Sequence, residues 1–249
     1  MRVRMTVAYD GSGFHGFAAQ ASDVPTVAGT LGGALERRLG HPVTLVVAGR
    51  TDSGVHAWGQ VVSFDAALDG FHAERLRDSL NRALAPAVVV RQAEVASPGF
   101  DARRWARSRR YRYTVLNRPV PDPFLAATAW HVPQPLDLGA LRLACDPLIG
   151  EHDFTSFCRR PRKQAREVSM TRRVLDARWT RAGDDILRFE IEASSFCHQM
   201  VRAVVGFPVA VGTGRRRAGE MAAVLRACDR SLAPHLAPPH GLCLWEVRY

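Results

Sequence analysis

Lysine is almost missing from this 249-residue sequence: Lys163 is the only one among 34 basic residues. Isoleucine and asparagine are scarce too, with three and two. A GC-rich coding sequence explains arginine in place of lysine. It does not explain why basic residues outnumber the 24 acidic ones, for a net charge of +10 and a pI near 10.4. An excess of that size points to an anionic partner, nucleic acid first. No apolar run approaches the ~20 residues of a membrane helix, so a spanning protein is not expected. The opening stretch MRVRMTVAYDGS alternates and turns polar at once, unlike a secretory signal. A cytoplasmic location is therefore expected. The five cysteines are odd in number and have no C-x-x-C spacing, which argues against a disulfide framework or a zinc knuckle. The nine histidines never pair at i,i+4 on a helical stretch, so no metal site is expected. Glycine and proline are scattered without period, and 47% hydrophobic with 23% charged residues describes a folded chain.

Hydrophobic periodicity gives two runs of elements. Val3, Met5, Val7 and Tyr9 alternate with polar or small neighbours, the mark of a half-buried strand. Thr26 is placed to cap a helix with Val27, Leu31, Leu35 and Leu39 on one face, ending at Gly40. Strands are expected over 42–48, 58–64 and 87–95, with a helix over 72–84. The order β-α-β-β-α-β then repeats. Strands are read at 109–117, 174–180, 186–192 and 242–249, and helices at 138–149, 196–205 and 218–228, the second meeting Pro208 where it should stop or kink. The expected fold class is α+β: two ferredoxin-like units forming an extended antiparallel sheet, helices on one side, with a central active-site cleft. The boundary falls between residues 104 and 105.

Gly11-Ser12-Gly13-Phe14-His15-Gly16 reads G-x-G-x-x-G after a strand. A dinucleotide site needs a helix opening directly on those glycines, so that its N-terminus meets the pyrophosphate. Here the chain runs on to Pro25 before any helical pattern begins, and a glycine-rich loop near a ligand is the better reading. The segment 48–57, AGRTDSGVHA, is a polar loop between two strands. An aspartate in such a loop usually forms a turn. In this one Arg50 lies two residues from Asp52, Gly49 and Gly54 permit sharp turns, and His56 and Trp58 follow as polar or stacking groups or as core.

This loop, with Gly59-Gln60-Val61-Val62-Ser63-Phe64 after it, resembles the catalytic block of the tRNA pseudouridine synthase A family. The resemblance covers nearly the whole chain. It includes Tyr9-Asp10-Gly11-Ser12, Phe100 to Arg103, Arg110-Tyr111-Arg112-Tyr113, residues 150–157, Phe196 to Gly206 and residues 237–244. The sequence departs from the family pattern at Ala18, Asp101, Gln199, Ala203 and residues 80–86, which bear on substrate contacts more than on the reacting groups.

The resemblance implies isomerisation of uridine to pseudouridine at positions 38, 39 and 40 of the tRNA anticodon stem-loop. The N1–C1′ bond breaks, the base rotates and C5 joins C1′, with no cofactor and no metal. Asp52 is then the nucleophile, attacking ribose C1′ or base C6; an ordinary aspartate, with a reference pKa of ~3.9, is ionised at neutral pH without a partner base. Arg202 matches the arginine paired with it, and Arg50 the loop arginine that helps extrude the base. Tyr111 matches the tyrosine that stacks on the base and is placed to take the C5 proton. Arg103, Arg110, Arg112, His56 and Gln60 are expected to bind substrate. Basic clusters at 103–118, 159–173 and 215–217, the first interleaved with Trp105, Tyr111 and Tyr113, suit an RNA surface. The resemblance also implies a homodimer holding one tRNA across both subunits, with no other protein required. A catalytically silent RNA-binding or RNA-folding protein on the same fold is the alternative; it would have no need of Asp52.

Overall fold

The computed structural model describes residues 1–20, 23–67, 72–160, 169–233 and 236–249. Two compact units emerge: residues 1–109 with 243–249, and residues 110–242. The expected boundary differs in two ways. The first unit runs on to Arg109, and the last strand belongs to it. Among the described residues no helix is long and apolar enough to cross a membrane.

In the first unit β1 (Arg2–Tyr9) lies between β3 (His56–Asp65) and β4 (Val88–Val95), antiparallel to both. The short β2 (Val46–Val47) adds antiparallel to the far side of β3. The strand expected over 42–48 shrinks to those two residues. Pro42 has no N–H for a ladder, and Val43 instead donates its N–H to Glu36 Oε1 (3.3 Å). β10 (Leu242–Arg248) returns to β3 in parallel, with Cys243 opposite His56 and Leu244 opposite Ala57.

Two helices build the core of this unit. α1 (Val27–Leu39) is capped as the sequence requires: Thr26 Oγ1 accepts the Gly29 N–H at 3.2 Å, and Gly40 closes the helix at φ +74°. α2 (Ala73–Leu84) packs on β4, burying Leu76 and Leu80 against a sheet face that carries Val3, Met5 and Val7, all without exposed surface. Asn81 on α2 locks strand and helix together, its amide exchanging two hydrogen bonds with the Val90 backbone (2.7 and 2.9 Å).

The second unit is a sheet of β5 (Ser108–Leu116), β9 (Ile186–Ala193), β8 (Thr171–Arg181) and β7 (Gly150–Asp153) in that order, with β6 (Trp130–His131) parallel to β5. Three helices accompany it: α3 (Leu138–Leu143), α4 (Met200–Gly212) and α5 (Glu220–Ala227). The helix expected over 138–149 ends after Leu143. Pro147 lacks the N–H a longer helix would need, so a 3-10 turn over Asp146–Leu148 follows instead. α4 starts later than expected, at Met200, because Gln199 takes a left-handed backbone at φ +65°. It also runs through Pro208 rather than stopping there. Most of α4 is buried, and that burial offsets a missing backbone hydrogen bond. Cys158 and Cys197 form a disulfide, Cα to Cα 5.8 Å, which the odd cysteine count and the absence of C-x-x-C gave no reason to expect. The fold brings together two cysteines 39 residues apart, a long-range pairing that spacing does not encode.

Candidate active site

The loop between β2 and β3 is held by residues remote in sequence. At its entry the Ala48 carbonyl accepts from Arg109 Nε (3.2 Å) and Nη2 (2.9 Å). The same guanidinium donates to the carbonyls of Arg103 (2.9 Å) and Ala106 (3.2 Å). Arg109 is only 9% exposed. The basic cluster it belongs to in sequence therefore contributes a buried strut here, not RNA-facing charge. Gly49 is fixed next: its carbonyl accepts from Gln60 Nε2 at 2.7 Å, and that amide also reaches the Tyr9 hydroxyl at 3.3 Å. Gln60 has no exposed surface and supports the loop through these bonds. Tyr9 completes the support, its hydroxyl 2.7 Å from Thr51 Oγ1. Burial pushes the Tyr9 phenol well above its ordinary pKa, with the Thr51 and Gln60 hydrogen bonds pulling the other way, so it stays protonated.

The glycine-rich segment after β1 is the other wall. No helix opens on it; α1 begins at Val27, which rules out the dinucleotide geometry. Its glycines press on the loop instead. A Cβ on Gly11 would run into the Val55 carbonyl, and one on Gly16, at φ +95°, would stand 3.0 Å from the Thr51 oxygen and 3.3 Å from the Ser53 nitrogen. Backbone bonds join the two segments. Phe17 N–H donates to Thr51 O (3.1 Å) and Gly54 N–H to Phe14 O (3.3 Å), with Ser53 Oγ on the same Phe14 oxygen (3.3 Å).

Asp52 sits at the turn so formed. Its own carbonyl accepts from Val55 N–H (3.1 Å), Gly54 turns the chain at φ +75°, and the residue is half-buried. Arg50 is exposed beside it. His56 is 8% exposed and closes the loop from below. Its Nδ1 lies 3.0 Å from the Gly11 nitrogen and 3.1 Å from Asp10 Oδ1. Both contacts cannot be hydrogen bonds at once: neutral Nδ1 accepts from Gly11, whereas protonated Nδ1 donates to Asp10. Burial alone would raise the Asp10 pKa. The Ser12 hydrogen bonds and the His56 contact outweigh it and hold the carboxyl below its usual range.

The second unit carries the remaining expected residues. Arg202 lies in the first turn of α4, half-buried, and is clamped twice to one residue. Its Nε donates to Ala237 O at 2.7 Å, and its carbonyl accepts the Ala237 N–H at 3.1 Å. Tyr111 on β5 is 7% exposed, its ring edge-on to Phe196 with centroids 5.0 Å apart. Two residues on, Tyr113 lies over Gly241, where a Cβ would stand 2.6 Å from its ring, and donates to Pro238 O at 2.8 Å.

Arg110 and Arg112 on β5 are bound to carboxylates. Arg110 donates through Nη2 (2.6 Å) and Nε (3.2 Å) to Glu192, and Arg112 likewise to Glu190 (2.8 and 3.0 Å), both on β9. Glu190 also accepts from Arg178 at 2.8 Å. Burial would raise its pKa, but the two guanidinium groups hold it below the ordinary value. These arginines are thus cross-strand ion pairs with their charge compensated. Arg103, Arg104 and Arg107 are exposed in the first unit, with Asp101 Oδ1 accepting the backbone N–H groups of Arg103 and Arg104 (2.8 Å each). The middle of the basic cluster at 159–173 lies outside the described residues.

Arg109 and the support formed by Tyr9 and Thr51 escaped the sequence reading as parts of the site. The glycine-rich segment was expected near a ligand, and what its sequence did not show is that Gly11 presses on Val55.

A family model described as tRNA pseudouridine synthase matches residues 144–249. Relatives match end to end. A protein of Brevibacillus brevis named tRNA pseudouridine synthase A is 40% identical over 248 residues, covering 100% of this chain and 99% of its own length. Proteins of the same name from Bradyrhizobium sp. and Methylobacterium sp. are 42% and 43% identical over 249 residues, covering 100% of this chain and 99% and 97% of theirs.

Proposed function

Because the chain belongs to the tRNA pseudouridine synthase A family and is accordingly an isomerase of tRNA uridine, we propose that Asp52 is its nucleophile and the anticodon stem-loop its target. The targets in this reading are uridines 38, 39 and 40. The observation that carries the assignment is the loop 48–55, an aspartate-bearing turn braced from three sides, with the exposed Arg50 two residues before Asp52 and the buried His56 four residues after it. A nucleophile fixed in this way loses little freedom on attack.

In the proposed reaction the Asp52 carboxylate adds to C1′ of the ribose or C6 of the ring. The glycosidic N1–C1′ bond breaks, the uracil turns, C5 bonds to C1′, the bond to Asp52 breaks and returns the free carboxylate, and the proton on C5 leaves. Arg202, anchored by Ala237, supplies positive charge for the carboxylate, and Arg50 helps hold the nucleotide out of the stem, where extrusion costs a few kcal/mol. Tyr111 is the acceptor for the C5 proton. Tyr111→Phe is expected to lower kcat by ~10²-fold or more with little change in tRNA affinity, since general-base catalysis contributes on that scale. Unchanged product formation would remove its hydroxyl from the proton transfer. The test of the whole reading is tritium release from unmodified tRNA labelled at uracil C5, wild type against Asp52→Ala.

The net charge of +10 supports electrostatic docking of the RNA. If ~6 phosphates are neutralised, the dissociation constant should rise ~10³-fold between 50 and 200 mM salt. A salt-independent affinity, read by filter binding, would refute phosphate contacts as its source. A cytoplasmic homodimer, the family arrangement, is part of the same reading, and light scattering at twice the chain mass tests it. The ferredoxin-like reading of the first unit finds support in its strand order, β4-β1-β3-β2, antiparallel throughout.

A further inference from the structure

One group of side chains near the loop takes no part in the chemistry above. Between Val7–Gln60 and Tyr9–Ala57, strand β3 has two residues, Trp58 and Gly59, opposite the single Ala8 of β1. That is a β-bulge, which leaves ladder groups unpaired and re-aims a side chain. The Trp58 carbonyl is taken up by Arg91 Nη1 on β4 at 3.2 Å. The same guanidinium lies over the Trp58 ring, 3.9 Å from its centroid. From β10, Trp245 stacks on Trp58 with centroids 5.9 Å apart and planes 19° from parallel. Gly59 is what lets β10 approach, since a Cβ there would collide with the Trp245 carbonyl.

The result is a tryptophan held in a fixed orientation yet 45% exposed, two residues beyond His56. The ring is thus fixed by a stacked indole and a guanidinium while nearly half of the residue stays open to solvent. We propose that Trp58, Trp245 and Arg91 form a stacking site for an unpaired nucleobase of the RNA substrate, separate from the loop that carries Asp52. Indole faces accept any base, and a guanidinium on the ring adds both a planar stacking surface and charge opposite to the RNA backbone. The inference rests on the tRNA reading above and adds to it a base contact outside the reacting nucleotide.

Unmodified tRNA transcript is titrated into wild type, Trp58→Phe, Trp58→Ala and Arg91→Gln, following intrinsic fluorescence, the dissociation constant and tritium release. Trp58→Ala is expected to raise the dissociation constant and KM together by ~10-fold, the scale of one base–aromatic stack, with kcat within ~2-fold. Trp58→Phe keeps a ring, so its affinity should stay within ~3-fold of wild type while part of the tRNA-induced quenching disappears. Arg91→Gln should weaken binding less than Trp58→Ala.

An unchanged affinity in Trp58→Ala would overturn the proposal, as would identical quenching in wild type and Trp58→Phe. So would a fall in light-scattering mass for Trp58→Ala, which would make the surface a contact between copies of the chain. If the alanine variant does not fold, the quenching difference in Trp58→Phe decides the question. Quenching at Trp58 without any tritium release would sink the isomerase reading and leave this site standing. Tritium release with an unaltered dissociation constant in Trp58→Ala would do the reverse.

Discussion

Asp52→Ala is expected to lower pseudouridine formation by ~10³-fold or more, with tRNA affinity within ~3-fold of wild type, because loss of a nucleophile removes the chemical step and leaves binding groups in place. The split follows from the site. Hydrogen bonds from Arg109, Gln60 and Phe17 end on the backbone of Ala48, Gly49 and Thr51, and the substitution leaves all of these in place. The loop should therefore keep its shape in the variant. Asp52→Asn is the sharper version, since it preserves volume and removes the ionised oxygen. Tritium release measured in single turnover, beside filter binding on the same preparations, reads both halves. Equal release by Asp52→Ala and wild type would leave the reaction in place and take Asp52 out of its centre.

Gly11→Ala is expected to cost ~10²-fold in kcat/KM although Gly11 touches no reacting group, since a misplacement of ~1 Å in a catalytic loop is enough for that. The added methyl would collide with the Val55 carbonyl and backbone, so the strand-to-loop junction after Asp52 has to shift. Overpacking of this kind costs ~1–3 kcal/mol, so the melting temperature should fall by several degrees as well. Gly13→Ala is the control: its Cβ would meet nothing within 4 Å, so activity and melting temperature should stay close to wild type. If the two variants behaved alike, the contact between the glycine-rich segment and the loop would not matter to function.

The contrast between Gly11 and Gly13 shows where sequence reading stops. Local signals were legible: the Thr26 cap, the Gly40 terminus and the alternation of β1 each depend on neighbours a few residues away. The loop with Arg50, Asp52 and His56 was legible because its residues are contiguous. What holds that loop was not. Arg109 lies 61 residues from Ala48, and Tyr9 lies 42 from Thr51. Such pairings depend on which remote segments the fold sets side by side, and no local pattern shows that. The same gap hid the carboxylate partners of Arg110 and Arg112, 82 and 78 residues away. It also hid the bulge at Trp58, where a single extra residue decides whether an indole faces the core or solvent.

Strand β10 carries a consequence for biosynthesis. Residues 243–249 belong to the same unit as residues 1–109, yet the whole of residues 110–242 is translated in between. The strand that follows the Asp52 loop, β3, must therefore wait for its parallel neighbour until the intervening unit has left the ribosome. Until Cys243 and Leu244 arrive beside His56 and Ala57, that side of β3 offers unpaired backbone to any other strand nearby. The unit begun first is completed last, so the late-arriving strand couples the finished state of the Asp52 region to synthesis of nearly the entire polypeptide. A nascent chain halted before residue 243 would carry Asp52 on an unfinished sheet.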